Sequence, residues 1–355
     1  MSDNRKEAEE KMAKAIFISG DGWLAVFGFL APSQLGLGIA MISHRFDYYV
    51  DEHFKTRKWA LKFIEIRSKI GENGTKEMEI GNCSGKLLPI PQIQLPRKVT
   101  GFEQLIIAFI DRNAIAFLHR FRPLFASCQI NLTINTDSER VLELILHNIW
   151  PMLGKNICGI ELPARTFRRI RKFAPSILSD YPSLRVFTFY SPDLHTEFPC
   201  DESANASDGQ AMAKWLFTPH PNNVPKVLRC SLEMNDGNLA SKIEAFKAAF
   251  ANASSPVNFI VAIWSPTSFV DSALPFDQTN ELTREQLVLK RTDYNNYFLL
   301  VRCPIARDAS KWAKCEKEAI DWRIYYQRNR TYIHISRENE IGDGLLDATL
   351  SPNDQ

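Results

Sequence analysis

From Phe102 onward the chain alternates between short apolar runs and longer amphipathic ones, and this rhythm limits the fold more than any other feature. EQLIIAFI is followed by RNAIAFLHRFRPLF, QINLTIN by SERVLELILHNIWPML, and ICGIELP by ARTFRRIRKFAPSILSDYP, before SLRVFTFY begins again. The short runs have the length and β-branched content of strands, and the long ones carry the 3.6-residue spacing of helices. Strand starts near Leu105, Ile130, Ile157 and Leu184 lie about 24 to 28 residues apart, the period of leucine-rich-repeat-like solenoids. The leucine-rich consensus itself is not met, so the expectation is repeat-like only. Right-handed crossovers lay such strands side by side, mostly parallel. The pattern continues after the polar loop PCDESANASDGQ, with AMAKWLFTP and ASKIEAFKAAFANA helical and KVLRCSLE and VNFIVAIWSP extended.

The two flanks read differently. Between residues 277 and 302, EQLVLKR and YFLLVRCPI surround TDYNN, which predicts a β-hairpin. ASKWAKCEKEAIDW then reads as a helix and TYIHISR as a final strand. Upstream, KWALKFIEIRSK and KEMEI read as strands, and LLPIPQIQLP as a loop or edge strand. The expected class is α+β or α/β: a small helical amino-terminal segment followed by a curved α/β repeat-like domain ending in a hairpin and helix. One open face of that body, or the loops at its end, is the expected binding surface.

GWLAVFGFLAPSQLGLGIAMIS, residues 22 to 43, contains no charge and is long enough to cross a bilayer. Pro32 at its centre argues otherwise, because proline inside a helix removes a hydrogen bond and suits the first turn of a new one. Two short helices joined near Ala31 are expected. Trp23, Leu24, Phe27 and Leu30 share a face in the first. Leu35, Ile39, Ile42 and Phe46 form a stripe in the second, which continues into the charged HRFDYYVDEHF. The apolar faces are expected to pack on protein, with no membrane. Gly36-Leu37-Gly38 lacks the third glycine of a dinucleotide fingerprint, Met41 standing in its place, and no strand precedes it.

Residues Ile18 to about Phe54 resemble an F-box. Ile18-Ser19 stands where that family begins with Leu-Pro, Asp21 at its acidic position, and Trp23-Leu24, Val26-Phe27 and Phe29-Leu30 at the apolar positions of its first helix. Pro32 and Leu35 fit the Pro-x-x-Leu opening the second helix, and Ile42-Ser43-His44-Arg45-Phe46 fits its closing motif. Ser19 and Gly22 depart from the pattern. KTRKWALKFIEI, LLPIPQ, NICGIEL, AKWLFTP and VRCPIARDASKWAKCEKEAIDW extend a resemblance to F-box proteins of plant-parasitic cyst nematodes over nearly the whole chain. It implies an F-box, 16–56, followed by a substrate-binding domain, 57–336; the residues themselves read as a flexible segment 1–15 and a disordered tail 337–355. It implies a non-catalytic substrate adaptor of a Skp–cullin–F-box ubiquitin ligase. A Skp-type adaptor would bind through Ile18, Trp23, Leu24, Val26, Phe27, Leu30, Pro32, Leu35, Ile39, Ile42, Ser43, Arg45 and Phe46. Trp23, Phe27 and Phe46 are the expected aromatic anchors, and Leu35, Ile39 and Phe46 the expected internal packers. The substrate is an unidentified protein. The alternatives are a scaffold working outside a ligase and an integral membrane protein.

Other classes find little support. A net charge of +2 in 355 residues argues against a dedicated nucleic-acid binder. The 7 cysteines are scattered without a CxxC pair, as in a cytosolic or nuclear protein with reduced thiols. MSDNRKEAEEKMAK is too acidic for a signal peptide's basic region, so the sequons at Asn73, Asn82, Asn131, Asn205, Asn252 and Asn329 are read as chance. No hydrolase elbow, phosphate loop or zinc motif occurs, and the histidines show no metal-ligand spacing; neither a cofactor nor a metal is expected. Cys303, in an apolar strand, is read as an inert buried thiol rather than a nucleophile. Arg165, Arg168, Arg169, Arg171 and Lys172 are read as a solvated helix face, and Trp312 and Trp322 as core.

Overall fold

The computed structural model describes residues 18–30, 32–55, 59–70, 76–81, 87–88, 99–136, 138–189, 196–231, 239–264, 275–292, 297–321 and 330–341. Its strands are β1 Trp59–Ile70, β2 Lys76–Gly81, β3 Leu87–Leu88, β4 Val99–Ile110, β5 Gln129–Ile134, β6 Ile157–Leu162, β7 Val186–Phe189, β8 Lys226–Ser231, β9 Phe259–Trp264, β10 Phe276–Asn280, β11 Glu285–Arg291, β12 Tyr297–Pro304 and β13 Arg330–Ile341. They form one sheet, ordered β10-β11-β12-β9-β8-β7-β6-β5-β13-β4-β1-β2-β3. From β9 through to β1 every pair is parallel. The margins are antiparallel: β2 and β3 on one side, β12, β11 and β10 on the other. The class is therefore mixed α/β with a largely parallel sheet.

Ten helices are described: α1 Gly20–Phe27, α2 Pro32–Leu37, α3 His44–His53, α4 Arg112–Ser127, α5 Glu139–Leu144, α6 Trp150–Leu153, α7 Ala164–Phe173, α8 Asp208–Leu216, α9 Leu239–Ala251 and α10 Ala309–Ile320. The predicted helix SERVLELILHNIWPML is interrupted by a π turn, Ile145–Ile149. Pro151 follows at the start of α6 and has no N–H to return to the preceding turn, so the register changes there.

Strand alternation divides the core into two. Phe259, Val261 and Ile263 of β9 join the large cluster that includes residues of α1–α9, whereas Ile260 and Ala262 join a second one. That second cluster packs Val186, Val227, Leu299, Val301 and Cys303 under Trp312, Ala319 and Ile320 of α10. β9 is thus apolar on both faces, as a strand of a sheet covered on both sides requires.

Asp111 starts α4 by accepting a hydrogen bond from Ala114 N at 2.6 Å, and is itself buried. Asp111→Ala is expected to cost about 1–2 kcal/mol of stability, read as a lower urea midpoint with an unchanged slope. A loss under a few tenths of a kcal/mol would show the cap is replaced by water.

Several expectations are corrected. β13 enters between β4 and β5, so those two strands, consecutive in the chain and expected side by side, are not paired. Periodicity identifies a strand without naming its neighbours. β13 also continues to Ile341, pairing Glu340 and Ile341 with Phe109 and Ile110, so residues 337–341 are strand rather than tail. Residues 342–355 and the amino-terminal segment 1–15 lie outside the described residues. β10, FDQTN, was not anticipated because its polar sequence has no apolar alternation. The stripe Leu35, Ile39, Ile42, Phe46 is not one helix: α2 ends at Leu37, a 3-10 turn spans Ile39–Met41, and α3 begins at His44. Gly38 permits the break, since a Cβ there would lie 2.6 Å from the Gln34 carbonyl oxygen.

Candidate protein-docking surface

The amino-terminal helices are fastened by short-range capping. Ser19 Oγ accepts from Gly22 N at 3.2 Å to start α1, and Ser43 Oγ accepts from Phe46 N at 3.4 Å to start α3. Both residues that depart from the F-box pattern acquire local reasons. Ser19 is the N-cap, and a Cβ on Gly22 would come within 2.8 Å of Ile18 Cγ2. α1 meets α3 through Trp23 and Phe46, edge to face at 4.9 Å, and through Phe27 and His53 at 6.0 Å. Arg45 Nε donates to Tyr49 Oη at 3.2 Å.

The site residues named from sequence sort by exposure. Phe27 and Leu35 are each 1% exposed and belong to the main core. Phe27, expected as a docking anchor, is therefore an internal packer, held between Trp23 and His53. Ile18, Trp23, Leu24, Leu30, Ile39 and Phe46 are half-buried. Val26, Ile42, Ser43 and Arg45 are exposed. Pro32 opens α2, and its side chain lies outside the described residues. Phe29, at 90% exposure, leaves nearly its whole ring in solvent; with Val26, Ile42 and Tyr48 it gives these short helices a large uncovered apolar area.

A second surface was not picked out from sequence. Across the sheet the partners His334, Thr133, Glu161, Thr188, Arg229 and Ala262 form one continuous row. Ala262 belongs to the cluster beneath α10, so the whole row lies on the α10 face. Thr133 Oγ1 donates to Glu161 at 3.2 Å and is hydrogen-bonded to the Tyr332 hydroxyl at 3.0 Å, and Tyr332 Oη lies 3.4 Å from His334 Nδ1. Burial lowers His334 below the usual imidazole range and raises the Tyr332 phenol. Arg229 anchors the α10 end of the row, donating to the Ala319 and Glu318 carbonyls at 2.8 and 2.7 Å and so closing that helix's carboxyl terminus. A cavity of about 260 Å³ opens there, lined by Glu161, Thr188, Arg229, Trp264 and Tyr297 among others. The signal was present in the sequence as polar residues recurring at alternate positions of otherwise apolar strands: Asn131 and Thr133, Thr188, His334.

No protein-family model and no curated protein matches this chain.

A third feature is Lys226, the first residue of β8. It is 5% exposed, donates to the Trp215 carbonyl at 2.6 Å and lies 5.0 Å from that indole's centre. Burial lowers its ammonium to about 8. The unfolded chain still holds that proton up to about 10.5, so between these values it binds more protons than the folded chain and stability rises with pH. Below pH 8 both states are protonated and the burial cost is fully expressed, on the order of 3 kcal/mol. Lys226→Met is thus expected to melt above wild type at pH 7, with the gap closing towards pH 10.5. A gap that does not change with pH would contradict this assignment.

The remaining candidates take structural places. Cys303 is fully buried, receives Gln286 Nε2 at 3.6 Å and contacts Arg307, and its burial pushes the thiol up, which suits an inert group. The basic run on α7 is not one solvated face. Phe167, Ile170 and Arg171 face inward at helical spacing, and Arg171 reaches Asp208 at 3.2 Å and the Ala206 carbonyl at 3.0 Å. Trp312 is core, and Trp322 lies outside the described residues. Asn131 is 1% exposed within β5, so that sequon is closed to a glycan in the folded protein. Among the described residues the cysteines are free, no group of acidic, histidine or cysteine side chains could hold a metal, and no helix is long and apolar enough to cross a membrane.

Proposed function

We propose that this chain is the substrate-recognition subunit of a cullin-type ubiquitin ligase. Helices α1–α3 dock on a Skp-type adaptor, and the sheet body holds a protein substrate for a separate ubiquitin-conjugating enzyme. The chain supplies position, and the transfer chemistry occurs elsewhere. The observation that carries this reading is the exposure of Phe29, Ile42, Val26 and Tyr48 on a segment whose Phe27, Leu35, Leu37 and Val50 are already committed to the core. An uncovered aromatic and its aliphatic neighbours are the kind of anchor on which binding energy concentrates. The half-buried Glu161, Thr188 and His334 of the row on the α10 face are the proposed substrate side, because aligned hydrogen-bonding groups give specificity where a wholly apolar face would not.

The test is reconstitution. Purified chain is mixed with a Skp-type adaptor and a cullin, and the assembly is followed by gel filtration. Co-elution of all three is the expected result. Adaptor without cullin would point to a scaffold outside a ligase. Failure of well-folded chain to bind any adaptor would sink the reading.

A further inference from the structure

The pocket around Lys226 lies at the amino ends of β7 and β8, away from both surfaces described above. Its volume is about 360 Å³, within the range of small-ligand sites. The turn Leu178–Pro182, the α8 residues Lys214 and Trp215, the segment Thr218–Pro221 and Glu202 close around it. Lys226 supplies the unusual feature. An ammonium has three N–H donors. Here one hydrogen bond, to the Trp215 carbonyl, is formed with described residues, and no carboxylate of a described residue lies within ion-pairing distance. A buried cation without a counter-ion is costly, and proteins ordinarily pair it. Glu202 acts on Lys226 only through space, favouring the ammonium without coming within ion-pairing distance. Its carboxylate accepts the Ser179 amide at 3.0 Å, and burial raises its pKa.

We propose that this pocket binds a carboxylate carried on a flat apolar group, the carboxylate pairing with Lys226 and the apolar part lying against Trp215, Pro182, Pro219 and Pro221. Lys214 adds a second positive charge at the pocket, so the two lysines outweigh the single Glu202. Planar apolar walls beside a desolvated ammonium select for a compact acid over an extended polyanion. The carboxylate can come from a free small acid or from the carboxyl end of a peptide, which present the same group to Lys226. The inference is independent of adaptor docking, since none of its residues belongs to α1–α3.

Phenylacetate serves as the small-acid probe and N-acetyl-alanyl-phenylalanine as the peptide-end probe, with phenylacetamide and the dipeptide amide as neutral controls. Binding to the full chain is followed by calorimetry and by the lysine ¹³Cε resonances. At least one acid is expected to bind at least tenfold tighter than its amide, to raise the Lys226 titration midpoint, and to weaken above that midpoint. Lys226→Met should lose tenfold or more while remaining folded, and Glu202→Gln should bind about threefold tighter. Which acid binds identifies the source. Acid and amide binding equally, unchanged binding in Lys226→Met, or no binding of either acid at millimolar concentration would each overturn the proposal.

Discussion

Glu285→Ala is expected to lower stability by about 3–5 kcal/mol, with a fall in Tm on the order of 10 °C. Glu285 is 1% exposed and Arg302 fully buried. One carboxylate oxygen receives Arg302 Nη2 at 2.6 Å and Nε at 3.1 Å, and the other accepts the Val257 amide at 2.8 Å. Arg302 also donates to the Ser255 carbonyl at 2.9 Å and lies 5.2 and 5.4 Å from the Phe250 and Phe217 ring centres. Register places Arg302 opposite Leu287 and Phe259, so the guanidinium projects under α9 into the main core. Removing the glutamate strands a cation that no water can reach. The magnitude comes from that stranded charge rather than from the worth of the pair. The double variant Glu285→Leu with Arg302→Met should therefore recover much of the loss. What remains is the Val257 amide without its acceptor, about 1–3 kcal/mol. Chemical denaturation of the three proteins decides it: a single variant within 1 kcal/mol of wild type would mean the pair is hydrated in solution.

The strands and helices of the body were legible because each satisfies a local rule. ICGIEL between turn residues and a helix with buried Phe167 and Ile170 could hardly have been read otherwise. Pro32 was equally plain, and α2 begins at it. Three things were hidden for physical reasons. β13 pairs with strands some two hundred residues earlier, and nothing in TYIHISR encodes β4 and β5 as its neighbours. The polar row on the α10 face arises from cross-strand register, so Thr133 and Glu161, and likewise Thr188 and Arg229, are neighbours only once the sheet exists. Lys226 has no sequence signature at all, because its burial is imposed by Trp215 and the surrounding turns. The docking segment lies between these cases. Its apolar residues were evident, but a spacing pattern does not separate Phe27, which points into the core, from Phe29, which points away.

That separation yields the second large effect. Phe29→Asp combined with Ile42→Asp is expected to weaken binding to a Skp-type adaptor by at least 100-fold, about 2.7 kcal/mol, while the melting curve stays within about 0.5 kcal/mol of wild type. Both side chains are mostly in solvent, at 90% and 62% exposure, so the free chain loses almost no packing when they are replaced. In a docked interface the new carboxylates would be desolvated against apolar surface without a partner, which is what makes the loss large. Phe27→Ala is the contrasting variant. Its ring is 1% exposed and packs on Trp23 and His53, so truncation should cost about 3–5 kcal/mol of stability and impair docking only by loosening α1 against α3. The two variants thus move different measurements: the first affinity alone, the second stability first. Fluorescence anisotropy with labelled adaptor, alongside thermal melts of each free chain, separates them. Undiminished adaptor affinity in the double aspartate variant would place the contact elsewhere and remove the exposed face of α1–α3 from the interface.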